Sequence, residues 1–264
     1  MVVNNIIKHR FLLNFNKYKY LLTQLVKRDV KVKYRNSVLG IFWSFLNPLL
    51  MMVVMTIIFS TLFGKTITNF PVYYLTGILI FTLFSKGSSG AMTSITKNSA
   101  MLNKIYIPKY MYVLSVVISN LVTFVFSLFI LIFIMIATGA PFTIYIFFGI
   151  LPILLVVIIT IGAGLLLATL NVFFRDIQHL YKVFITLLMY GSAIFYPIDI
   201  VPVQFQIFYL NPLFAIITLF RDSFYSGIPY DLFNILYASL FSILILILGV
   251  VIFYKTQDKF ILHL

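Results

Sequence analysis

Residues 41–63 read IFWSFLNPLLMMVVMTIIFSTLF, 23 residues without a charge. As an α-helix this stretch is about 35 Å long, enough to cross a hydrocarbon core of about 30 Å. In lipid the backbone must close its own hydrogen bonds, so the run is read as a membrane-spanning helix. The rest of the chain agrees: 62% of its 264 residues are hydrophobic and 9% are charged, against about 25% charged in soluble domains. Further apolar runs extend from Phe70 to about Ser85, Met111 to Ala137, about Ile153 to Phe173, Val183 to about Tyr196, and Leu232 to Tyr254. The expectation is an all-α polytopic membrane protein of about six spans. The second and fifth are short, and Gly87-Ser88-Ser89-Gly90 gives the second room to extend. Pro152 divides the fourth run, which makes the piece after Pro141 an interfacial turn.

The net charge is +13, from 19 Lys and Arg against six acids, all of them Asp. Nine basic residues precede the first span. Lys86, Lys97, Lys104 and Lys109 lie between the second and third, Arg175 and Lys182 between the fourth and fifth, and Lys255 and Lys259 follow the last. With both termini cytosolic, 17 of the 19 fall inside and only Lys65 and Arg221 outside, which satisfies the positive-inside rule. Orientation thus accounts for the charge, and no nucleic acid is needed as a partner. The N-terminus has no uninterrupted apolar core of the signal-peptide kind. Without cysteine there are no disulfides or thiolate sites. The chain divides into a cytosolic N-terminal segment (1–40), a transmembrane domain (41–254) with a cytosolic loop (86–109) and an outer segment (197–231), and a cytosolic tail (255–264).

Two stretches are not ordinary spans. From Leu21 to Arg35, Leu21, Leu22, Leu25, Val26, Val30 and Val32 share a helical arc, with Lys27, Arg28, Lys31 and Arg35 opposite. This predicts a helix lying in the membrane surface, either anchored to anionic membrane lipid or docking a protein. Asp29 and Lys33 interrupt the apolar arc at i, i+4 spacing, where they can pair. Between the last two spans, residues 197–231 are apolar but broken by Pro202, Asn211-Pro212, Arg221-Asp222 and Gly227-Ile228-Pro229. Each fragment is too short to cross, so the segment is read as a re-entrant outer hairpin. The plainest reading of Arg221 and Asp222 is mutual neutralisation there.

Catalytic chemistry is not visible. Asp29, Asp176, Asp199, Asp222, Asp231 and Asp258 all lie at or beyond span ends, so neither an intramembrane enzyme nor a proton-coupled carrier has its usual groups. Asp176 and His179 form a lone Asp-x-x-His pair, better read as a helix-start carboxylate and an interfacial histidine than as a metal site. Gly64-Lys65-Thr66 imitates the end of a phosphate-binding loop, but Phe59 stands where its first glycine belongs. Gly162-Ala163-Gly164 reads as close helix packing. No metal or cofactor is expected in this chain, and the energy for transport must come from another subunit.

The segment from Leu25 to Leu49 carries Arg28-Asp29, Tyr34-Arg35, Ser37-Val38-Leu39-Gly40, Trp43 and Pro48. It resembles the opening signature of ABC-2 type permeases that export polysaccharides. Three more segments resemble that family: Asn103 to Lys109, Phe174-Arg175-Asp176-Ile177, and Asn211-Pro212-Leu213 with Phe220-Arg221-Asp222. Lys109 departs from it, arginine being more usual there. The resemblance implies a permease subunit of an ATP-driven exporter in the plasma membrane of a prokaryote. It would work as two copies of this chain with two copies of an ABC ATPase subunit, which holds ATP and Mg. The substrate would be a lipid-linked polysaccharide, such as O-antigen or capsule, or a teichoic-acid-like polymer. The rivals are an ABC-2 permease for a small hydrophobic drug or lipid, and a membrane scaffold that transports nothing.

The resemblance also implies ATPase coupling through Asn103, Lys104, Ile105 and Tyr106, with Asp29 and Arg35 as further polar contacts, and an outer gate at Asn211, Pro212, Arg221 and Asp222. The chain has 29 Phe, 17 Tyr and one Trp, and aromatic faces pack against sugar rings. Many of these rings belong to lipid or to interfacial belts, as expected of Trp43, Tyr110, Tyr112 and Tyr254. Tyr73, Tyr74, Tyr190, Phe195 and Tyr196, near the outer halves of the second and fifth spans, are the candidates for a substrate conduit. Replacing Ile105 and Tyr106 with charged residues is expected to lower substrate-stimulated ATPase activity in the assembled transporter; unchanged stimulation with normal assembly would remove that interface.

Overall fold

Apolar runs too long for a globular core become helices that need neighbours only for their small and polar residues, and the computed structural model has that form. It describes residues 18–33, 35, 39–63, 67–102, 107–198 and 210–262. The helices are α1 (18–33), α2 (Trp43–Phe63), α3 (Phe70–Lys97), α4 (Ser99–Leu102), α5 (Tyr110–Thr138), α6 (Ile150–Phe173), α7 (Ile177–Tyr190), α8 (Pro212–Arg221) and α9 (Leu232–Thr256). No strand occurs among the described residues. Among the described residues, five helices are long and apolar enough to cross a membrane: α2, α3, α5, α6 with the 3-10 turn before it, and α9. The readings at 64–66 and 103–106, and the hairpin's entry at 199–209, lie outside the described residues, as do Tyr34 and 36–38 of the signature segment. The end of the bundle at Phe70 and Leu232 is called outer below.

α3 is the central helix, packed by α2, α5, α6, α7 and α8. It does not stop near Ser85 but runs on to Lys97, through residues read from hydropathy as loop. Its polar residues are satisfied within the helix: Ser88 donates to Phe84 O (2.6 Å) and Ser94 to Ala91 O (2.7 Å). Its glycines admit neighbours. A Cβ on Gly87 would lie 2.6 Å from Thr160 of α6, and one on Gly90 2.7 Å from Val116 of α5.

The fifth crossing is not one helix. α7 has 14 residues, about 21 Å, and residues 191–196 that were expected to continue it form turns and bends. The two parts together still follow α3 from end to end. Near the inner end Gln178 donates to Asn171 (2.8 Å), which donates to Thr96 (3.3 Å). Midway, the Tyr181 hydroxyl donates to Ser88 (2.6 Å), and at the outer end Tyr73 donates to Tyr196 O (2.7 Å). Thr96 and Tyr73 are 23 residues apart on α3, about 34 Å.

Residues 210–231 return along α9. The Tyr237 hydroxyl donates to Leu210 O (2.7 Å), and α8 rises from there, with Leu213, Ala215, Ile216, Ile217, Leu219 and Phe220 buried. A π-turn (Asp222–Ser226) ends it, and Gly227, at φ +62°, adopts the left-handed conformation that closes the turn onto Asp222 O. Asp231 then caps α9 by accepting from Asn234 N.

α1 packs lengthwise on the first half of α5 instead of lying free on a lipid surface. Leu22 and Leu25 are buried with Ile107, Met111 and Tyr112, so Tyr112 belongs to this core and not to an interfacial belt. Further along, Asp29 accepts from Ser115 (2.9 Å), and Lys33 donates to Asn120 (3.4 Å) and Thr123 (3.2 Å). These two interrupters of the apolar arc therefore face α5. Gly40, at φ +52°, turns the chain into α2. Within α2, Pro48 leaves the Ser44 carbonyl without its helical donor, and Ser127 of α5 donates to it (3.4 Å).

α6 and α9 meet backbone to backbone. A Cβ on Gly162 would lie 2.6 Å from the Ile245 carbonyl, and one on Gly249 2.3 Å from Gly162 O. The Gly162-Ala163-Gly164 run is thus a packing device, as its composition suggests. Gly162→Leu or Gly249→Leu is expected to destabilise the fold by at least about 1–3 kcal/mol, read as a lower unfolding temperature in detergent.

Candidate functional site

Breaking a helix inside a membrane protein strands carbonyl groups, and residues 191–196 strand several. Three side chains answer them: Tyr73, Arg221 and Asn211. The Tyr73 hydroxyl shares its proton between Ala193 O (3.0 Å) and Tyr196 O (2.7 Å). Arg221, at the end of α8, donates from Nη2 to Ala193 O (2.9 Å) and lies 3.5 Å from Ile194 O. Ala193 is the one described non-glycine residue with positive φ, at 47°, a conformation that costs roughly 1–2 kcal/mol.

Arg221 is the central residue of this cluster. It is 7% exposed, and its guanidinium carbon sits 3.7 Å from the centre of the Tyr73 ring. A stacked cation of this kind gains about 2 kcal/mol once desolvated. Arg221 and Asp222 make no ion pair within 4 Å, but the Asp222 carboxylate still favours the guanidinium charge from farther off, and the close partners of the guanidinium are an aromatic face and backbone carbonyls. The Arg221 Nε has no partner. Gly77 makes room for the group, since a Cβ there would lie 2.9 Å from Nη2.

The other gate candidates also hold the break together. Asn211 caps α8 by accepting from Leu213 N (3.0 Å), with Pro212 in the first turn. Its amide donates to Gly191 O (3.0 Å) and Ser192 Oγ (2.9 Å). The hairpin is thus tied to the broken crossing at both ends of α8. Asp222 is buried beside Arg221, and its carbonyl accepts from Ile228 N (3.1 Å).

The five conduit candidates come together in the same place. The rings of Tyr74 and Phe195 are 5.9 Å apart, and those of Tyr190 and Phe195 are 6.0 Å apart. The Tyr196 hydroxyl donates to Tyr190 O. Tyr73, Tyr74 and Phe195 are buried within the protomer, whereas Tyr190 is exposed and Tyr196 half-buried. Sequence reading missed Phe59, Phe70 and Tyr225, which complete the cluster: Phe59 stacks on Phe70 and Phe195, and Tyr225 meets Tyr73 edge-on at 5.5 Å. Nothing in their sequence spacing separates them from lipid-facing aromatics.

At the inner end, Asn103, Lys104, Ile105 and Tyr106 lie outside the described residues. Of the other coupling candidates, Asp29 accepts from Arg28 (2.8 and 3.1 Å) as well as from Ser115, while Arg35 is exposed. Arg28 also donates to Asn98 (3.1 Å), so α1 is bonded to the junction of α3 and α4 that leads into residues 103–106. Beside it, Lys109 donates to Gln257 O and lies 5.5 Å from the Phe260 ring, which docks the C-terminal 3-10 turn. Burial lowers the Lys109 ammonium from its ordinary range, with Asp258 opposing.

A cleft of about 610 Å3 also opens between α2, α3 and α5. It takes in Lys33, Lys86, Trp43 and Asn47, none of which stood out as a site residue in the sequence. The sequence reading put Lys86 at the start of the cytosolic loop, whereas the structure places it within α3.

The profile of the ABC-2 type transporter family matches residues 20–225. The chain is 32% identical over 211 residues to the O-antigen export system permease protein RfbA of Myxococcus xanthus, covering 79% of this chain and 81% of that one. It is 30% identical over 244 residues to RfbA of Klebsiella pneumoniae (91% and 93% covered). It is 23% identical over 249 residues to the polysialic acid transport protein KpsM of Escherichia coli (93% and 96% covered). With that coverage, and with its membrane-crossing helices, broken fifth crossing and hairpin, the chain belongs to the ABC-2 type transporter family.

Proposed function

We propose that this chain is the permease subunit of an ATP-driven exporter of a lipid-linked polysaccharide. The observation that carries this reading is similarity over nine-tenths of the chain to permeases named for O-antigen export. The all-helical body supports it, since its helices supply a wall and a hinge rather than a reaction centre. Hydrolysis of ATP then belongs to a separate ABC ATPase subunit that holds ATP and Mg, with two copies of each subunit in the assembly. The charge asymmetry supports cytosolic termini and an ATPase docked on the inner face.

The mechanism follows from where the chain is irregular. ATPase closure is received at residues 103–106 and at α1, which Arg28 binds to Asn98 and Asp29 binds to α5. At the outer end, Arg221, Tyr73 and Asn211 hold the hairpin against the broken crossing. Moving the hairpin exchanges these carbonyl contacts for water or sugar hydroxyls, so opening takes place where hydrogen bonds can be replaced. Tyr190 and Tyr196, at the surface of the cluster, offer ring faces to the passing polymer, and Tyr73, Tyr74 and Phe195 join them once the hairpin moves. The smaller-substrate reading has no comparable observation in its favour.

Two measurements test this. Co-reconstitution with its ATPase in liposomes is expected to give ATP-dependent movement of a lipid-linked glycan; movement of a small lipid alone, with no glycan accumulating in depleted cells, would overturn the substrate class. The chain has no cysteine, so a Ser192→Cys/Asn211→Cys pair is the only one that can oxidise. Its disulfide is expected to abolish export and its reduction to restore it, while full flux through a verified crosslink rules out gating by the hairpin.

A further inference from the structure

The turn after α9 buries a residue that its own composition would leave in water. Residues 257–260 read QDKF, and Gln257–Leu262 continue α9 as a 3-10 turn at the inner end. Asp258 and Lys259 are exposed, yet Phe260 is fully buried. Its ring stands edge-on to Phe173, the last residue of α6, at 5.8 Å, and to Phe253 of α9 at 5.4 Å. These are arrangements that aromatic rings favour. Together with Ile95 of α3, Val113 of α5 and Val172 of α6, Phe260 belongs to the apolar cluster that closes the inner end of the bundle.

A further side of the ring is covered by Lys109. Its ammonium lies 5.5 Å from the ring centre and donates to Gln257 O. A carbonyl and a ring face fix the direction of a cation as well as its distance. Lys109 directly precedes α5, and the first turn of that helix is bonded to it, with Met111 N donating to Pro108 O (2.9 Å) and Tyr112 N to Lys109 O (3.3 Å). The turn therefore sets where α5 begins relative to α6 and α9, which are themselves packed backbone to backbone at Gly162 and Gly249.

Lys109 also lies three residues beyond 103–106, where contact with the ATPase is expected. The other flank of that segment is fastened in a comparable way: Asn98 accepts from Arg28 of α1 (3.1 Å) and donates to Ser94 O (2.7 Å). Both flanks are thus tied to packed helices, one through α1 and the other through the turn after α9. A segment passes on a displacement only where its ends are joined to something stiffer than itself, and a slack flank absorbs it.

We propose that the turn after α9 is a coupling brace: Phe260 and Gln257 hold Lys109, and with it the exit of the 103–106 segment, against the inner ends of α6 and α9, so that ATP-driven movement of that segment reaches the spans. Phe260 and Lys109 act as positioning residues. The inference rests on the reading of the chain as an ATP-driven permease coupled at residues 103–106, and it adds the element that makes the coupling stiff.

Lys109→Met keeps the apolar stem and removes the donor, and Phe260→Ala removes the ring. In the full-length permease in detergent, each is expected to speed hydrogen exchange at the Met111 and Tyr112 amides by about tenfold, with the outer half of α3 (70–84) unchanged. In liposomes with the ATPase, both variants are expected to assemble normally and to export about fivefold less glycan per ATP hydrolysed, a size usual for coupling between distant sites. Lys109→Arg, which keeps donor and cation, is expected to stay near wild type in both measurements. Unchanged exchange at Met111 and Tyr112, faster exchange with wild-type export per ATP, or an equal loss in Lys109→Arg would each overturn the brace. So would exchange that quickens uniformly along the chain, the mark of a merely structural role. Lys109→Met, at a half-buried position, keeps the test decisive if Phe260→Ala prevents folding. Exchange is read on the permease alone, so its failure counts against the brace and not against the exporter reading. A wild-type chain that drives no glycan export, while exchange shifts as expected, counts against the exporter reading alone.

Discussion

The broken crossing and the hairpin beside it depend on a buried guanidinium stacked on a tyrosine. A polypeptide in lipid cannot leave a carbonyl unpaired, because each one costs several kcal/mol there. The fifth crossing nevertheless breaks after Tyr190, and the carbonyl of Ala193 is answered by both Arg221 and Tyr73. The charge itself is stabilised at close range by the Tyr73 ring and by the carbonyl dipoles, with the Asp222 carboxylate contributing from farther off. This solution has a structural consequence: α8 must end where it does, and α3 must carry a glycine at position 77 to make room.

α3 joins that outer arrangement to the inner face. Its outer end presents Tyr73 to the break, its middle carries Ser88 against Tyr181, and its inner end leads through Asn98 to Arg28 of α1. A displacement at either end is therefore transmitted along one helix whose neighbours pack against glycine and serine. α1 adds a second connection to α5 through Asp29 and Ser115.

The general plan was legible because hydrophobic length is a local property. Residues 41–63, 111–137 and 232–254 could be read as spans from composition alone, and the breaks at Pro202, Asn211-Pro212 and Gly227 marked residues 197–231 as unable to cross. What escaped was satisfied by distant partners. α3 continues past Ser85 because its hydroxyls bond its own carbonyls, which hydropathy counts as polar cost. The apolar run Ala193-Ile194-Phe195 looks helical, and it is bent by a tyrosine 120 residues earlier and an arginine 28 residues later. Asp29 suggested a partner four residues away, while Ser115 lies 86 away. The Arg221 and Asp222 positions were recognised, but the stacking that replaces their pairing was not, since sequence shows adjacency and not which ring is within reach.

The glycine contact between α6 and α9 bears on motion as well as packing. Where two helices touch through backbone alone, no side chain lies between them to change rotamer, and sliding one past the other drives a carbonyl into a Cα. That pair is a stator. α9 turns its other face outward, with Leu240, Leu244 and Leu248 exposed, so the pair is rigid on one side and open on the other.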